Sequence, residues 1–530
     1  MEKFLPISVQ DFDQMITGNF VYVDKTRYIY EMVRIPQAFY FLSRPRRFGK
    51  SLLVSTLKAL FEGRQDLFKG LWIENSDWKW QSHPVVQIDF NGVKASDVQA
   101  LEKSLLITLD QIAAQHGVAL KTDLLANKFI ELFLALQAKY REKIVVLIDE
   151  YDKPIITHLG EGDAGLQIAR QNRAVMKEFF GVLKEARVSA MLRFVFITGI
   201  SKFSRVGIFS DLNNLKDLSM NEAYAGLLGY TRQELESYFS EWIDEFTRTR
   251  QTSRDEILQQ LQYWYNGYRF TKKGAQVYNP FSILNALSEY DFKTFWFESG
   301  TPSLLVNLIK ERDYPVSTIE NLQIQETVFS TYDLENLRLE ALLFQTGYVT
   351  IQDYDGILFR LGYPNQEVKT AFLSFIYHDL VKIADATLQA QFSRLHQYLA
   401  QEDLEQFIET ANAILAAIPY TQFRSQATPE KNEQYYHTVF YLMVAASGVL
   451  VHTEPLSSHG RMDIAVEFKD KVYVIELKCN QSAEAALRQI HEKRYHEKYL
   501  QSGRQIHLVG INFSTTERRI VDWRIETIGR

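Results

Sequence analysis

Ala38-Phe-Tyr-Phe-Leu-Ser-Arg-Pro-Arg-Arg-Phe-Gly-Lys-Ser51 is the most informative stretch of the chain. An apolar run, Ala38–Leu42, gives way to an Arg/Pro-rich loop and then to Gly49-Lys50-Ser51, where a helical pattern over 50–62 begins. Strand, loop, Gly-Lys-Ser and helix, in that order, are the parts of a phosphate-binding loop. Gly49 lets backbone N–H groups approach an anion with no Cβ in the way. Lys50 supplies a point positive charge for β- and γ-phosphates. Ser51 offers a hydroxyl to Mg²⁺, and the helix presents its positive end to the anion. One position departs from G-x-x-x-x-G-K-[ST]: Arg44 stands where the first glycine is expected. Gly-Lys-Ser alone also fits a helix start with an incidental lysine.

A second feature weighs against that alternative. Ile144-Val-Val-Leu-Ile-Asp-Glu-Tyr-Asp152 is an apolar strand ending in acids, about 100 residues downstream. This is a Walker B pattern: Asp149 would hold Mg²⁺ and Glu150 would polarise the attacking water. Together the two features predict an ATP site. Thr198, at the end of a strand Phe194–Thr198, is read as a γ-phosphate sensor or an ordinary strand terminus. Arg205 is read as an arginine finger or a surface arginine. Trp264, Tyr265, Tyr268 and Arg269 either form a core aromatic cluster or pack beside the nucleotide, with Arg269 reaching the phosphates.

Working outward, residues 1–220 read as α/β. The runs Ala38–Leu42, Val85–Phe90, Ile144–Ile148 and Phe194–Thr198 are short, largely apolar and rich in β-branched or aromatic residues, as parallel strands buried on both faces are. Helical patterns, such as 50–62 and 96–116, lie between them and imply crossovers. Residues 221–330 read as a helical lid, with amphipathic stretches at 231–246 and 254–265. Residues 331–394 read as a winged-helix-like and helical region, because 344–361 predicts a hairpin turning at Asp353–Gly356. Residues 395–530 form the last domain. There a helix at 433–446 precedes strands near 449–453, 461–468 and 472–478, then a helix at 482–499 and a strand at 505–512.

Composition bounds the function classes. The chain has 530 residues, 46% hydrophobic and 23% charged, which excludes a largely disordered chain. Its net charge of −6 argues against a uniformly basic nucleic-acid coat, though not against a local basic groove. Residues 431–530 hold fourteen Lys/Arg against twelve Asp/Glu, a charge of about +2. The 28 Tyr and 35 Phe suggest large packed cores. The single cysteine, Cys479, excludes an internal disulfide and a multi-cysteine zinc site. His437, His452, His459, His491 and His496 match no zinc spacing. No signal peptide is evident, and the apolar stretch 440–451 is too short to span a bilayer, so a cytoplasmic protein without membrane contact is expected.

The last domain carries its own constellation. Gly460-Arg-Met-Asp463 leads through a hairpin to Val474-Ile-Glu-Leu-Lys478. Alternate side chains on a strand share a face, so Glu476 and Lys478 point the same way. Asp463, on the preceding strand, reaches that face. Asp463 and Glu476 would hold Mg²⁺, with Mn²⁺ as a substitute, and Lys478 would orient water or stabilise the transition state. Charges embedded in an apolar strand are costly to bury, which argues against a purely solvated face.

Two resemblances sharpen these readings. The segments SRPRRFGKS, IDEYD, FITGISKFS and YNGYRF, with Val23-Asp-Lys-Thr26, resemble the AAA-ATPase-like family common in bacteria, over roughly residues 5–285. The resemblance implies an ATP-binding core with a helical lid and makes Arg44 part of a variant Walker A loop. Arg44, Arg46, Arg47 and Phe48 would then join Gly49, Lys50, Ser51, Leu52, Asp149 and Thr198 in binding nucleotide. Residues 395–515 resemble the PD-(D/E)XK nuclease superfamily, in the version often fused to that ATPase. That resemblance implies a catalytic core of Asp463, Glu476 and Lys478, with Glu433, Glu454 and Gln489 as accessory groups. The fold expected is therefore an α/β multidomain chain: a P-loop NTPase parallel sheet, a helical lid with a winged-helix-like middle, and a restriction-endonuclease-like α/β/α domain. The function expected is ATP-regulated, Mg²⁺-dependent cleavage of nucleic acid, DNA favoured. The rival is a nucleotide switch that binds DNA or a protein without cutting. A ring-forming DNA motor is a weaker third reading, and oligomerisation stays open.

Overall fold

The computed structural model describes residues 3–202, 208–209, 214–296, 303–312, 314, 316–330, 338–381, 385–416, 429–452 and 464–528. The chain divides into two compact units, one of residues 1–308 and 323–366, the other of residues 309–322 and 367–530.

The first unit is built on five parallel strands: β1 (Ala38–Ser43), β2 (Val85–Asp89), β3 (Ile144–Asp149), β4 (Leu192–Gly199) and β5 (Leu215–Asp217). Their spatial order is β2-β3-β4-β1-β5. The four apolar runs are thus strands, and β1 and β3 are buried along their whole length. β5 escaped the sequence reading, because three residues reading Leu-Lys-Asp give no period to detect. Strands β1, β3 and β4 all run the same way, so the loops after Ser43, Asp149 and Gly199 meet at one edge. Ligands of open α/β sheets bind at such carboxyl ends.

The helix Lys50–Phe61 starts where Gly49 adopts a left-handed conformation, φ 93°. It buries Leu53, Val54, Leu57, Leu60 and Phe61, spaced to form one face. The lid helix expected over 231–246 is instead two helices, Arg232–Tyr238 and Ser240–Arg250. They break at Phe239, whose ring is fully buried beside Leu235 and Ile243 in the core of this helical region. The hairpin is present as β7 (Thr350–Tyr354) against β8 (Leu358–Gly362), antiparallel, with β6 (Leu322–Gln325) beside β8.

The second unit holds a mixed sheet in the order β13-β12-β11-β10-β9. Its strands are β9 (Leu450–His452), β10 (Ile464–Glu467), β11 (Lys471–Cys479), β12 (Gln505–Ser514) and β13 (Arg519–Ile528). β11 and β12 are parallel and joined through the helix Ala483–Lys493, while the other pairs are antiparallel. That helix ends earlier than the 482–499 expected, because Arg494 turns left-handed at φ 55°. β13 is not legible in the sequence, because it is charged and mostly exposed and so shows no apolar alternation. Among the described residues, no helix is long and apolar enough to cross a membrane.

Candidate functional sites

The first site opens at the carboxyl ends of β1 and β3. A cavity of about 790 Å³ is lined there by Arg46, Gly49, Lys50, Ser51 and Glu150, and also by Val23 and Leu228. The lining therefore combines cationic and polar groups with apolar side chains. The volume falls in the ordinary range for small-molecule sites.

Lys50 is only 4% exposed. Its ammonium donates to the carbonyls of Arg44 and Pro45, both at 3.2 Å, and lies 3.4 Å from Glu150 Oε1. The lysine thus folds back on its own loop and on the Walker B acid. Asp149, 3% exposed, is raised to about 6: burial pushes it up, and the Ser51 hydroxyl and Lys50 only partly offset this. A desolvated carboxyl beside a serine hydroxyl is a donor set that fits Mg²⁺, because a bound cation would offset the cost of burying the carboxylate.

Asp152, at the end of the same motif, is fully buried. Its carboxylate accepts from Ile200 N, Ser201 N and Ser201 Oγ, the last two at 2.6 Å. Burial, then Glu150, raises it to about 6. Asp152 therefore ties the loop after β3 to the loop after β4. Nothing in the sequence around Asp152 signals this role. Lys25, within Val23-Asp-Lys-Thr26, is a second residue whose role the sequence does not signal. Lys25 lines the cavity and bonds Glu234 at 2.6 and 2.8 Å and the Gly226 carbonyl at 2.8 Å, joining the N-terminal segment to the helix Arg232–Tyr238.

Three expected nucleotide contacts stand elsewhere. Thr198 Oγ1 donates to Leu42 O at 2.7 Å and is buried between β4 and β1, so its hydroxyl is committed to the sheet rather than to a phosphate. Arg269 donates through Nη1 to Gln352 O at 3.1 Å, which turns it toward the hairpin. Arg44 runs beneath the loop, bonded to Ser43 O and Ser219 O, and burial lowers it to about 9. Of the other loop residues, Arg46 is exposed and lines the cavity, Arg47 stacks on Phe281 at 3.6 Å, Phe48 is buried, and Leu52 lines the cavity. Arg205 lies outside the described residues.

The second site sits on β11. Its Val472 and Val474 pack in one cluster with Leu487 and Ile490 of the helix Ala483–Lys493. The next two residues on that face are Glu476 and Lys478, and Gln489 comes off the same helix to meet them. Lys478 Nζ lies 3.2 Å from Glu476 Oε1 and 2.7 Å from Gln489 Oε1, and Gln489 Nε2 donates to Glu476 Oε1. Glu476 is 1% exposed, while Lys478 is less deeply covered. A buried carboxylate and an amide oxygen next to an ammonium form a hard-oxygen donor set compatible with a divalent cation. Asp463 and Glu454 lie outside the described residues, and Glu433 falls on the helix Pro429–Ala446. Among the described residues no three His, Cys, Asp or Glu side chains converge as a metal cluster.

Comparison with known proteins agrees with this division. Residues 6–209 match the family described as predicted AAA-ATPase, and residues 431–523 match the PD-(D/E)XK nuclease superfamily. An uncharacterised protein from the vnfD 5′ region of Azotobacter chroococcum mcd 1 is 36% identical over 537 residues, covering 99% of each chain. Among solved structures, the Walker-type ATPase PABY2304 of Pyrococcus abyssi matches 67% of this chain and 96% of its own, at 14% identity and a TM-score of 0.34. A structure of Drosophila ORC bound to DNA matches 66% of this chain and 85% of its own, at 11% identity and a TM-score of 0.23. The chain belongs to the family of its Azotobacter relative, and it joins a predicted AAA-ATPase at its N-terminal end to a PD-(D/E)XK nuclease-superfamily domain at its C-terminal end.

Proposed function

We propose that the protein is an ATP-binding, ATP-hydrolysing regulator of its own Mg²⁺-dependent nuclease domain, acting on DNA. The observation that carries the nuclease reading is the contact of Lys478 with buried Glu476 and with Gln489 on β11. A divalent cation held by Glu476 and Asp463 would supply a bound water of lowered pKa and positive charge beside a phosphodiester. Gln489 fixes the rotamers of both Glu476 and Lys478. The Lys478 ammonium would steer the attacking water and then face the charge that builds on the phosphoryl oxygens as one P–O ester bond breaks.

At the nucleotide site, Lys50 would exchange its two loop carbonyls for β- and γ-phosphate oxygens, which are stronger acceptors. That exchange would free Glu150 to accept a proton from the attacking water. Arg46 is the loop arginine best placed to meet the phosphates, since its side chain lines the cavity and is exposed. Mg²⁺ would be held by Ser51 and Asp149. The coupling of the two activities rests on their presence in one chain.

A second reading, a non-cleaving nucleotide switch, is favoured by one observation. Lys50 is already satisfied by Arg44 O, Pro45 O and Glu150, a self-locked arrangement suited to slow turnover. Cleavage of supercoiled plasmid in Mg²⁺ or Mn²⁺ separates the two readings. Wild type should nick the plasmid, and folded Lys478→Ala should lose roughly a hundredfold or more of that rate. An intact plasmid with wild type, under conditions where ATP is bound, would favour the switch.

A further inference from the structure

We propose that Arg44 is a positioning residue of the nucleotide site, and that the phosphate loop takes its shape from an aromatic bed in the lid and hairpin region. The proposal rests on reading the cavity as a nucleotide site. Arg44 occupies the place where a glycine would give the loop backbone freedom. Instead its guanidinium, 2% exposed, clamps Ser43 O at 2.9 Å and Ser219 O at 2.7 Å and stacks on Phe270 at 4.2 Å. Its Nε and Nη2 are buried with no hydrogen-bond partner among the described residues. Burying such a group is costly, so the stacking and the two carbonyl bonds must hold it there.

The next four residues are held in the same way. Pro45 packs against Gly347, where an added Cβ would meet Pro45 Cβ at 2.7 Å and where φ is +88°. Arg46 O accepts from Trp296 Nε1 at 3.3 Å. Arg47 lies over Phe281, and Phe48 makes edge contacts with Tyr268 and Phe270, at 4.8 and 5.4 Å between centroids. Every loop residue from Arg44 to Phe48 therefore rests on residues far along the chain. Gly347 lies about 300 residues from the loop and does not line the cavity, yet it is predicted to govern nucleotide affinity.

The test is calorimetric binding of Mg²⁺·ATP to the full chain, with steady-state hydrolysis alongside. Gly347→Ala and Arg44→Lys should each weaken ATP binding by about tenfold or more, the loss expected from roughly 1.4 kcal/mol of strain or lost stacking. Gly347→Ala should raise KM for ATP while kcat stays within about threefold, because Lys50, Ser51 and Asp149 keep their identities. Hydrogen exchange at 344–348 in wild type should slow when ATP binds. Wild-type affinity in both folded variants, with Lys50→Ala still losing ATP, would overturn the proposal and leave the nucleotide site standing. Should Gly347→Ala fail to fold, Phe270→Leu decides: weakened ATP binding supports the bed, and unchanged binding overturns it. Wild type that binds no ATP removes the nucleotide reading and this proposal together.

Discussion

The two charged sites are assembled over very different distances along the chain. On β11, Glu476, Lys478 and Gln489 lie within fourteen residues, and one strand with its following helix brings them together. Around Lys50, the loop is held by Ser219, Phe270, Phe281, Trp296 and Gly347. A site made by one crossover depends on one helix staying docked. A site made by distant elements can be altered from any of them, which is a useful property where nucleotide is meant to change the state of a protein.

The largest effect that would sharpen this contrast comes from the lysines themselves. Lys50→Ala should reduce ATP affinity or turnover by roughly a hundredfold or more. The variant should leave the fold near β11 unchanged, as read by hydrogen exchange over 471–493. Loss of protection there would mean the two sites are not separately built.

A smaller effect concerns an ion pair beside the loop clamp. Lys202 and Asp217 are 3.0 Å apart, with side chains 8% and 12% exposed. Burial pushes the Asp217 carboxyl up, but Lys202 and Ser219 outweigh it and hold it below the usual carboxylate range. A depressed carboxyl stabilises the fold fully above its unfolded pKa, near 4, and loses that contribution as pH falls through the lower folded value. Asp217→Asn should therefore destabilise by about 3 kcal/mol near neutral pH, since it removes the charge of one partner in a buried ion pair. The gap from wild type in denaturant melts should stay flat above about pH 5 and narrow at lower pH. A gap that widens toward acid would contradict the assignment.

The smallest effect concerns the Thr198 hydroxyl. Thr198→Val removes the bond to Leu42 O and should cost about 1 kcal/mol of stability. ATP turnover should stay within about threefold of wild type. A hundredfold fall in turnover would restore Thr198 as a phosphate sensor.

What the sequence revealed follows the same division between local and distant. The strands β1, β2, β3 and β4 are legible because burial on both faces demands short, largely apolar runs. Glu476 and Lys478 could be placed on one face from the two-residue period alone. Gln489 required the helix after β11, and the family resemblance pointed to it. Arg44 could not be read from its neighbours, since the choice between touching phosphate and lying under the loop depends on Phe270 and Ser219. Asp152 was visible as a letter, but its role depends on the amides of Ile200 and Ser201. Gly347 gave no signal in sequence, because its meaning lies in contact with Pro45.

The most direct test of the central claim is the ATP dependence of plasmid cleavage in one purified preparation, for wild type and Lys50→Ala, with Mg²⁺ present throughout. The account predicts that ATP changes the wild-type cleavage rate at least severalfold and leaves the Lys50→Ala rate unmoved. Equal cleavage by both proteins at every ATP concentration would contradict it, showing two activities that share a chain without sharing control.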